Sequence, residues 1–201
     1  MITLDQAKAL YDGADPIHDF SHVLRVLNVA LGLAEQERAD VEVVRTAALL
    51  HDIARPADDA TVLDADAETD HALLAGEPPE FVEAVAHAIA AHRFRNTVEP
   101  QTIEAKVLFD ADKLDAIGAI GVARAFAYGG VLGQPLWGEV SEGYVPGQGS
   151  EAHTAHHEFH VKLAHVKDRL YTDSGRRMAE QRHRFMATFF EQMAAEVRGE
   201  R

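Results

Sequence analysis

The chain has 201 residues, of which 47% are hydrophobic and 26% are charged, enough apolar sequence for one globular domain with a buried core. Its 33 acidic and 19 basic residues give a net charge of −14, and because a surface this negative repels polyanions, we expect neither a nucleic-acid nor a membrane partner. The absence of cysteine excludes disulfides and thiolate metal ligands.

Apolar residues recur at helical spacing along almost the whole chain. The first predicted helix covers residues 3 to 12 and opens with a Thr-Leu-Asp-Gln capping box. Its acidic, amphipathic sequence is unlike a signal peptide, so we expect a cytoplasmic protein. Further helices are predicted over residues 20 to 36, 41 to 53, 71 to 75 and 79 to 91, with a polar interruption over residues 56 to 69.

The second half of the chain contains a segment that breaks the helical pattern. Residues 102 to 128 predict one long helix or two helices joined at Gly118. The segment from Tyr128 to Ser150 then holds 7 of the 14 glycines and the single tryptophan, which predicts a loop or lid. From Glu151 the spacing is helical to the end, with a break near Gly175. The sequence therefore predicts an all-α protein.

Polar, metal-competent side chains stand in three of these apolar helical stretches. His22 shares the inward face of its predicted helix, His51 and Asp52 end the next one, and Asp112 follows a buried-type run. An ionised group in such surroundings is costly, and a divalent cation removes that cost by pairing with carboxylates and neutral imidazoles. Two nitrogen and two oxygen donors suit Mn, Fe, Zn, Ni or Co, and suit Mg less well.

Each of these residues also has an ordinary explanation when it is taken singly. His22 can be a hydrogen-bonded core histidine, Asp52 a residue of a helix end or turn, and Asp110 or Asp112 a helix cap. Capping and packing do not readily explain all of them at this spacing. Together they favour a metal centre.

Several longer stretches carry a family resemblance. They are HDFSHVLRV (18–26), LLHDIAR (49–55), HAIAAHRF (87–94), EAKVLFDADKLDAIGAIGVARAF (104–126), FHVKL (159–163) and TDSGRRMAEQRHRFM (172–186). With them the chain resembles the HD-domain metal-dependent phosphohydrolase superfamily, and within it a branch of small, uncharacterised bacterial HD hydrolases. The resemblance implies a single HD-type helical domain over residues 1 to 201, with its core at 18 to 126 and C-terminal helices at 151 to 199 packed on it.

The same resemblance implies which residues bind the metal. His22, His51, Asp52 and Asp112 match the metal-binding positions, and Asp112 is the second aspartate of the Asp-Ala-Asp motif. His71 offers a second metal ligand together with His92, as in binuclear HD proteins, but the smaller branch has no counterpart for it. We therefore expect one divalent ion.

Other matched positions surround this ligand set. His18 and His92 are candidate catalytic residues, and Arg25, Lys113, Lys162 and His87 are candidate substrate ligands. The alternative for His87 and His92 is a pair of surface histidines, and for the basic residues it is salt bridges to carboxylates such as Asp115 or Glu158. The histidines at 153, 156, 157, 160 and 165 predict a polar helix face rather than a metal site.

The predicted metal centre points to a reaction class. A divalent ion acidifies water and screens phosphate charge, which phosphoester and phosphoanhydride hydrolysis both need. The resemblance implies a nucleotide phosphohydrolase, and Arg55 stands where the 5′-nucleotidase branch has an acidic residue. We therefore expect conversion of a nucleoside triphosphate to a monophosphate and pyrophosphate. An HD-fold di-iron oxygenase and a non-catalytic nucleotide-binding regulator are the alternatives, and a homodimer is left open.

Overall fold

The computed structural model describes residues 2–11, 20–53, 73–93, 98–148 and 150–200. These residues form α-helices, one 3-10 helix and connecting loops, and no strand occurs among them. The prediction of an all-α protein is confirmed. The chain divides into two compact units, the first made of Met1–Asp112 with Tyr171–Gly175 and the second of Lys113–Leu170 with Arg176–Arg201.

The first unit is built around the helices that carry the metal-competent residues. They are α1 (Leu4–Leu10), α2 (Phe20–Glu37), α3 (Val41–Leu50), α4 (Pro79–Ala91) and the part of α5 (Ile103–Asp115) that ends at Asp112. Helix α3 packs against α1, α2 and α4. It is the most buried of them, with every residue from Thr46 to Leu50 inside the core.

Local capping explains where two of these helices begin. The predicted capping box of α1 is present, because Thr3 Oγ1 accepts a hydrogen bond from Gln6 N and the Gln6 side chain accepts one from Thr3 N. Asp40 caps α3 by accepting from the backbone of Glu42 and Val43. The starts of both helices thus follow from single polar residues.

A buried carboxylate fastens a distant stretch of chain to α5. Asp110 accepts hydrogen bonds from Tyr171 N at 2.9 Å, Thr172 N at 2.7 Å and Thr172 Oγ1 at 2.6 Å. Glu37 at the end of α2 accepts from Ser174 N at 2.8 Å. These bonds explain why residues 171–175 belong to the first unit although the chain around them belongs to the second.

The second unit contains the rest of the helical sequence. Its elements are α6 (Gly118–Val131), α7 (Ala155–Val161), a 3-10 helix (Leu163–Arg169) and most of α8 (Asp173–Val197). Helices α5 and α6 are separate, which settles the alternative that the sequence left open at Gly118. Gly118 has φ +78°, and a Cβ there would lie 3.0 Å from Arg182 Cγ, so both backbone and space call for glycine.

Several predicted boundaries differ from the structure, and α3 ends at Leu50 rather than at residue 53. Helix α6 runs through two glycines to Val131, so the non-helical segment begins after the predicted Tyr128. Helix α7 begins at Ala155 rather than at Glu151, because Thr154 is its N-cap. Gly175 lies in the first turn of α8 and does not mark the break, which precedes Asp173. The predicted interruption at 56 to 69 and residues 71 and 72 of the next helix lie outside the described residues.

No single helix in the described part of the chain is long and apolar enough to span a membrane. Helices α5 and α6 reach that length and hydropathy only when they are counted as a pair across the break between them.

Candidate metal centre

Three helices of the first unit bring the four predicted metal ligands together. His22 lies on the buried face of α2, His51 and Asp52 directly follow α3, and Asp112 lies near the end of α5. His22 Nε2 is 3.4 Å from His51 Nε2, 3.5 Å from Asp112 Oδ1 and 3.6 Å from Asp52 Oδ2. His51 Nε2 is 3.9 Å from Asp52 Oδ2.

These spacings fit the donors of one metal ion. Ligands held at roughly 2.1 Å from a divalent ion stand about 3.0 Å apart at right angles and about 3.4 Å apart in a tetrahedron. The observed separations of 3.4 to 3.9 Å are slightly wider, as expected of donors that close on an ion by small side-chain movements. One donor atom each from His22, His51 and Asp112 lies within 4.8 Å of the others. Asp52 is not part of that group, although its Oδ2 lies 3.6 Å from His22 Nε2 and 3.9 Å from His51 Nε2.

The chemistry of His51 also suits a metal ligand. Its Nδ1 lies 2.8 Å from the carbonyl oxygen of Ala48, so Nδ1 carries the proton and Nε2 presents its lone pair to His22 and Asp52. Burial lowers the pKa of His51 below its usual value, which keeps the imidazole neutral. A neutral imidazole with an oriented lone pair is the form that binds a divalent cation.

Tyr11 supports the backbone at Asp52, a role that the sequence did not reveal. Its hydroxyl donates to the carbonyl oxygen of Leu49 at 3.1 Å and accepts from the backbone N–H of Asp52 at 3.3 Å. Tyr11, which directly follows α1, therefore fixes the turn after α3 through these two hydrogen bonds. Only an aromatic residue at the end of an amphipathic helix hinted at this contact.

His92 and Arg93, which follow α4, lie beside Asp52. His92 is buried, its Nδ1 donates to the carbonyl oxygen of Ile89, and its Nε2 is 3.9 Å from Asp52 Oδ1. The surface alternative for His92 is therefore wrong. Arg93 Nη2 is 3.9 Å from the same carboxylate oxygen, and Arg93 Nε is 3.4 Å from His92 Nε2. Arg93 was missed, although it directly follows His92 in the family motif.

The structure also shows the contacts of the remaining candidate residues, whose functional roles stay predictions. Arg25 Nη1 donates to Ser21 Oγ at 2.9 Å, and His87 Nε2 accepts from Gln101 N at 3.1 Å. In the second unit, Lys162 is exposed and its Nζ lies 2.8 Å from Glu158 Oε1, the kind of salt bridge expected as the alternative. Lys113 is buried in the last turn of α5. His18 and His71 lie outside the described residues.

The histidines around α7 connect the glycine-rich segment to the second unit. His156 Nδ1 donates to the carbonyl oxygen of Gly138 at 2.9 Å, and its ring stacks on Trp137 with the centroids 4.1 Å apart. Tyr144 donates to His153 Nδ1 at 3.0 Å. The prediction of a polar helix face is wrong for His156 and His157, because both are buried against this segment.

Glu151 completes this anchoring. Its Oε1 accepts from His157 Nε2 at 2.6 Å and from Ser141 N at 3.0 Å. Hydrogen bonds from Ser141 and from His157 lower the pKa of Glu151 to about 2. In the described chain these histidines are not among the groups of three or more side chains that could hold a metal ion, unlike His22, His51 and Asp112. Whether residues 128 to 150 act as a lid stays a prediction.

Comparison with known proteins agrees with the site. Residues 19–117 match the HD domain family model. Bacillus subtilis YpgQ is 38% identical over 187 residues, which are 90% of this chain and 85% of that protein. A crystal structure of YpgQ in complex with ADP covers 99% of this chain and 100% of that chain, with a TM-score of 0.74 and 32% identity. The crystal structure of an HD-superfamily hydrolase from Bacillus thuringiensis aligns with 97% of this chain and 94% of its own, with a TM-score of 0.75 and 32% identity.

A more limited similarity links the chain to a nuclease. Ribonuclease Y of Chloroflexus aurantiacus is 35% identical over 96 residues, which are 46% of this chain and 17% of that protein. The full-length similarities above and the match to the family model agree with the His and Asp cluster on α2, α3 and α5. The chain belongs to the HD superfamily of metal-dependent hydrolases.

Proposed function

We propose that the protein is a metal-dependent phosphohydrolase that converts a nucleoside triphosphate to a nucleoside monophosphate and pyrophosphate. The observation that carries this proposal is the cluster of His22, His51, Asp52 and Asp112, which offers two imidazole and two carboxylate donors within 3.9 Å of a neighbouring donor. The crystallisation of YpgQ with ADP supports a nucleotide as the substrate.

His22, His51, Asp52 and Asp112 would hold a divalent ion, and manganese accepts such a mixed nitrogen and oxygen set. A bound ion would supply an acidified water and neutralise phosphate charge. Hydrolysis breaks the bond between the α- and β-phosphates, and the oxygen of water ends on one of the two products. The proton that the water loses needs an acceptor beside the centre.

The position of His92 supports it as the acceptor of that proton. Its Nδ1 donates to the carbonyl oxygen of Ile89, so Nε2 carries no proton. Nε2 lies 3.9 Å from Asp52 Oδ1 and 3.4 Å from Arg93 Nε, a long contact that a water molecule can replace. A buried neutral imidazole at the edge of a metal centre is a suitable general base. We therefore propose that His92 is catalytic and that the four-residue cluster binds the metal.

The expected partner is a small phosphorylated molecule. Similarity to part of ribonuclease Y raises an RNA phosphodiester as a second candidate. The net charge of −14 repels a long polyanion such as RNA. A mononucleotide is small enough for its binding to depend mainly on the charges next to the metal centre. Monomer or homodimer, and a cytoplasmic location, stay predictions.

A product screen tests the proposal. The metal-depleted protein is reloaded with Mn²⁺, Mg²⁺, Co²⁺ or Ni²⁺ and given ribonucleoside and deoxyribonucleoside triphosphates, monophosphates and a short RNA. Equimolar monophosphate and pyrophosphate from a triphosphate, lost in Asp112→Ala, is the expected result. RNA cleavage, tight nucleotide binding without turnover, or oxygen uptake by the iron form would each contradict the proposal and favour a nuclease, a regulator or an oxygenase, respectively.

A further inference from the structure

Arg93 brings a positive charge to the edge of the candidate metal centre. It lies two residues after the end of α4, with its side chain 21% exposed, whereas the Asp52 side chain that it approaches is 4% exposed. The guanidinium thus contacts a buried carboxylate and also reaches solvent. A substrate that enters from solvent can meet it.

The two oxygens of Asp52 face different groups. Oδ2 lies near the imidazoles of His22 and His51, while Oδ1 lies 3.9 Å from both Arg93 Nη2 and His92 Nε2. A separation of 3.9 Å exceeds the roughly 2.7–2.9 Å of a charge-assisted hydrogen bond. The Arg93–Asp52 contact is therefore an electrostatic attraction and not a closed, bidentate pair.

The local charge count shows what Arg93 changes. The carboxylates of Asp52 and Asp112 would together balance a divalent ion, so the four ligands and that ion carry no net charge. Among the described residues, Arg93 adds one positive charge next to Asp52. In a chain with a net charge of −14, a positive charge at this position favours the binding of a phosphate.

We propose that Arg93 is a phosphate-binding residue of this centre, whose guanidinium binds phosphate oxygens of the substrate next to the metal. This inference rests on the proposed function and deepens it. A planar guanidinium presents paired N–H donors that match two phosphate oxygens, which a lysine ammonium cannot do. The competing role is positional, with Arg93 serving only to hold Asp52 in place.

The two roles predict opposite effects on metal affinity. If Arg93 binds phosphate, its removal takes a positive charge away from the metal site, so Mn²⁺ affinity stays equal or rises by roughly threefold. If Arg93 positions Asp52, its removal loosens a ligand and Mn²⁺ affinity falls. Metal affinity therefore separates the two roles without any turnover.

The experiment compares the full-length wild type with Arg93→Gln, Arg93→Lys and Arg184→Gln. Arg184 is exposed on α8 in the second unit, so its replacement makes the same charge change at a residue that is not part of the cluster. Mn²⁺ affinity is measured by calorimetry. Inorganic phosphate is then titrated into each Mn²⁺-loaded protein, and its binding is measured by the ³¹P relaxation that the bound Mn²⁺ causes.

We expect phosphate affinity to fall at least tenfold in Arg93→Gln and less in Arg93→Lys, with Arg184→Gln like the wild type. Unchanged phosphate affinity in Arg93→Gln, no phosphate binding by the wild type, or loss of Mn²⁺ binding in both Arg93 variants would overturn the inference. If Arg93-dependent phosphate binding occurs but no triphosphate is hydrolysed, the proposed function fails and the role of Arg93 stands.

Discussion

Two aspartates on α5 should differ in what alanine replacement costs: Asp110 should affect stability, and Asp112 should affect metal binding. Asp110 is fully buried and accepts three hydrogen bonds from Tyr171 and Thr172. Hydrogen bonds to a charged acceptor contribute about 1.5–3 kcal/mol each, and Asp110→Ala also leaves two backbone N–H groups without their acceptor. Relief of the buried charge offsets part of this loss, so we expect Asp110→Ala to lower the free energy of unfolding by about 3–5 kcal/mol.

Asp112, two residues later, has a side chain that is 17% exposed and faces His22. Its removal from the metal-free protein should change the free energy of unfolding by less than about 1 kcal/mol, because the group lies at a polar cluster and not in apolar packing. Mn²⁺ binding should instead be lost. Asp110→Ala, wherever it remains folded, should bind Mn²⁺ with wild-type affinity.

Urea unfolding of the metal-free proteins, followed by circular dichroism, measures the first effect, and Mn²⁺ calorimetry measures the second. A loss of 3–5 kcal/mol is a large part of the roughly 5–15 kcal/mol of a typical domain, so the difference between the two variants is easily resolved. Equal unfolding midpoints, or loss of Mn²⁺ binding in a stable Asp110→Ala protein, would refute the division of roles between these aspartates.

Three further predictions test the site and the glycine-rich segment. Asp52→Ala should reduce Mn²⁺ binding and turnover at least a hundredfold while far-UV circular dichroism is unchanged; full activity at saturating Mn²⁺ would disprove the assignment. Hydrogen bonds lower the pKa of Glu151 from 4.5 to about 2. The ionised Glu151 side chain therefore stabilises the folded protein fully above pH 4.5, and this stabilisation is lost as the pH falls towards 2. Emission of Trp137 should report this loss, and in Glu151→Gln that pH dependence should disappear. Gly138→Ala should lower the free energy of unfolding by about 1–2 kcal/mol, because its Cβ would lie 3.0 Å from the His157 ring. Gly130→Ala, with open space around its Cβ, should leave that free energy unchanged or raise it by up to about 1 kcal/mol. Equal effects of the two variants in urea unfolding would count against the packing of the glycine-rich segment on the α7 histidines.

The sequence predicted the helical architecture because burial imposes a period near 3.6 residues on each helix. His22, predicted on the inward face of α2, is buried in the structure together with Val23 and Val26. Helix ends were less accurate, since caps and hydrogen bonds decide them. Glycine did not stop α6 at Tyr128, and Thr154 rather than Glu151 sets the start of α7.

Part of the site could be predicted and part could not. His22, His51, Asp52 and Asp112 stand out because polar residues interrupt apolar helical faces and match a family motif. Tyr11 and Arg93 gave no comparable signal, because their contacts to Asp52 depend on how α1 and the end of α4 lie against α3.

The histidines around α7 show the same limit. A count of imidazoles at helical spacing could not reveal that His156 and His157 are buried and bind Gly138 and Glu151. Those partners come from the non-helical segment before α7, whose path no periodicity describes. Side-chain roles that depend on loops therefore required the structure.

The most direct test of the account is where a metal binds. Crystals of the protein loaded with Mn²⁺ should give one anomalous peak at the manganese edge, with donor atoms of His22, His51, Asp52 and Asp112 each within about 2.0–2.4 Å of it. A peak bound by other residues, or no peak between these four side chains at saturating Mn²⁺, would contradict the central claim that they form the catalytic metal centre.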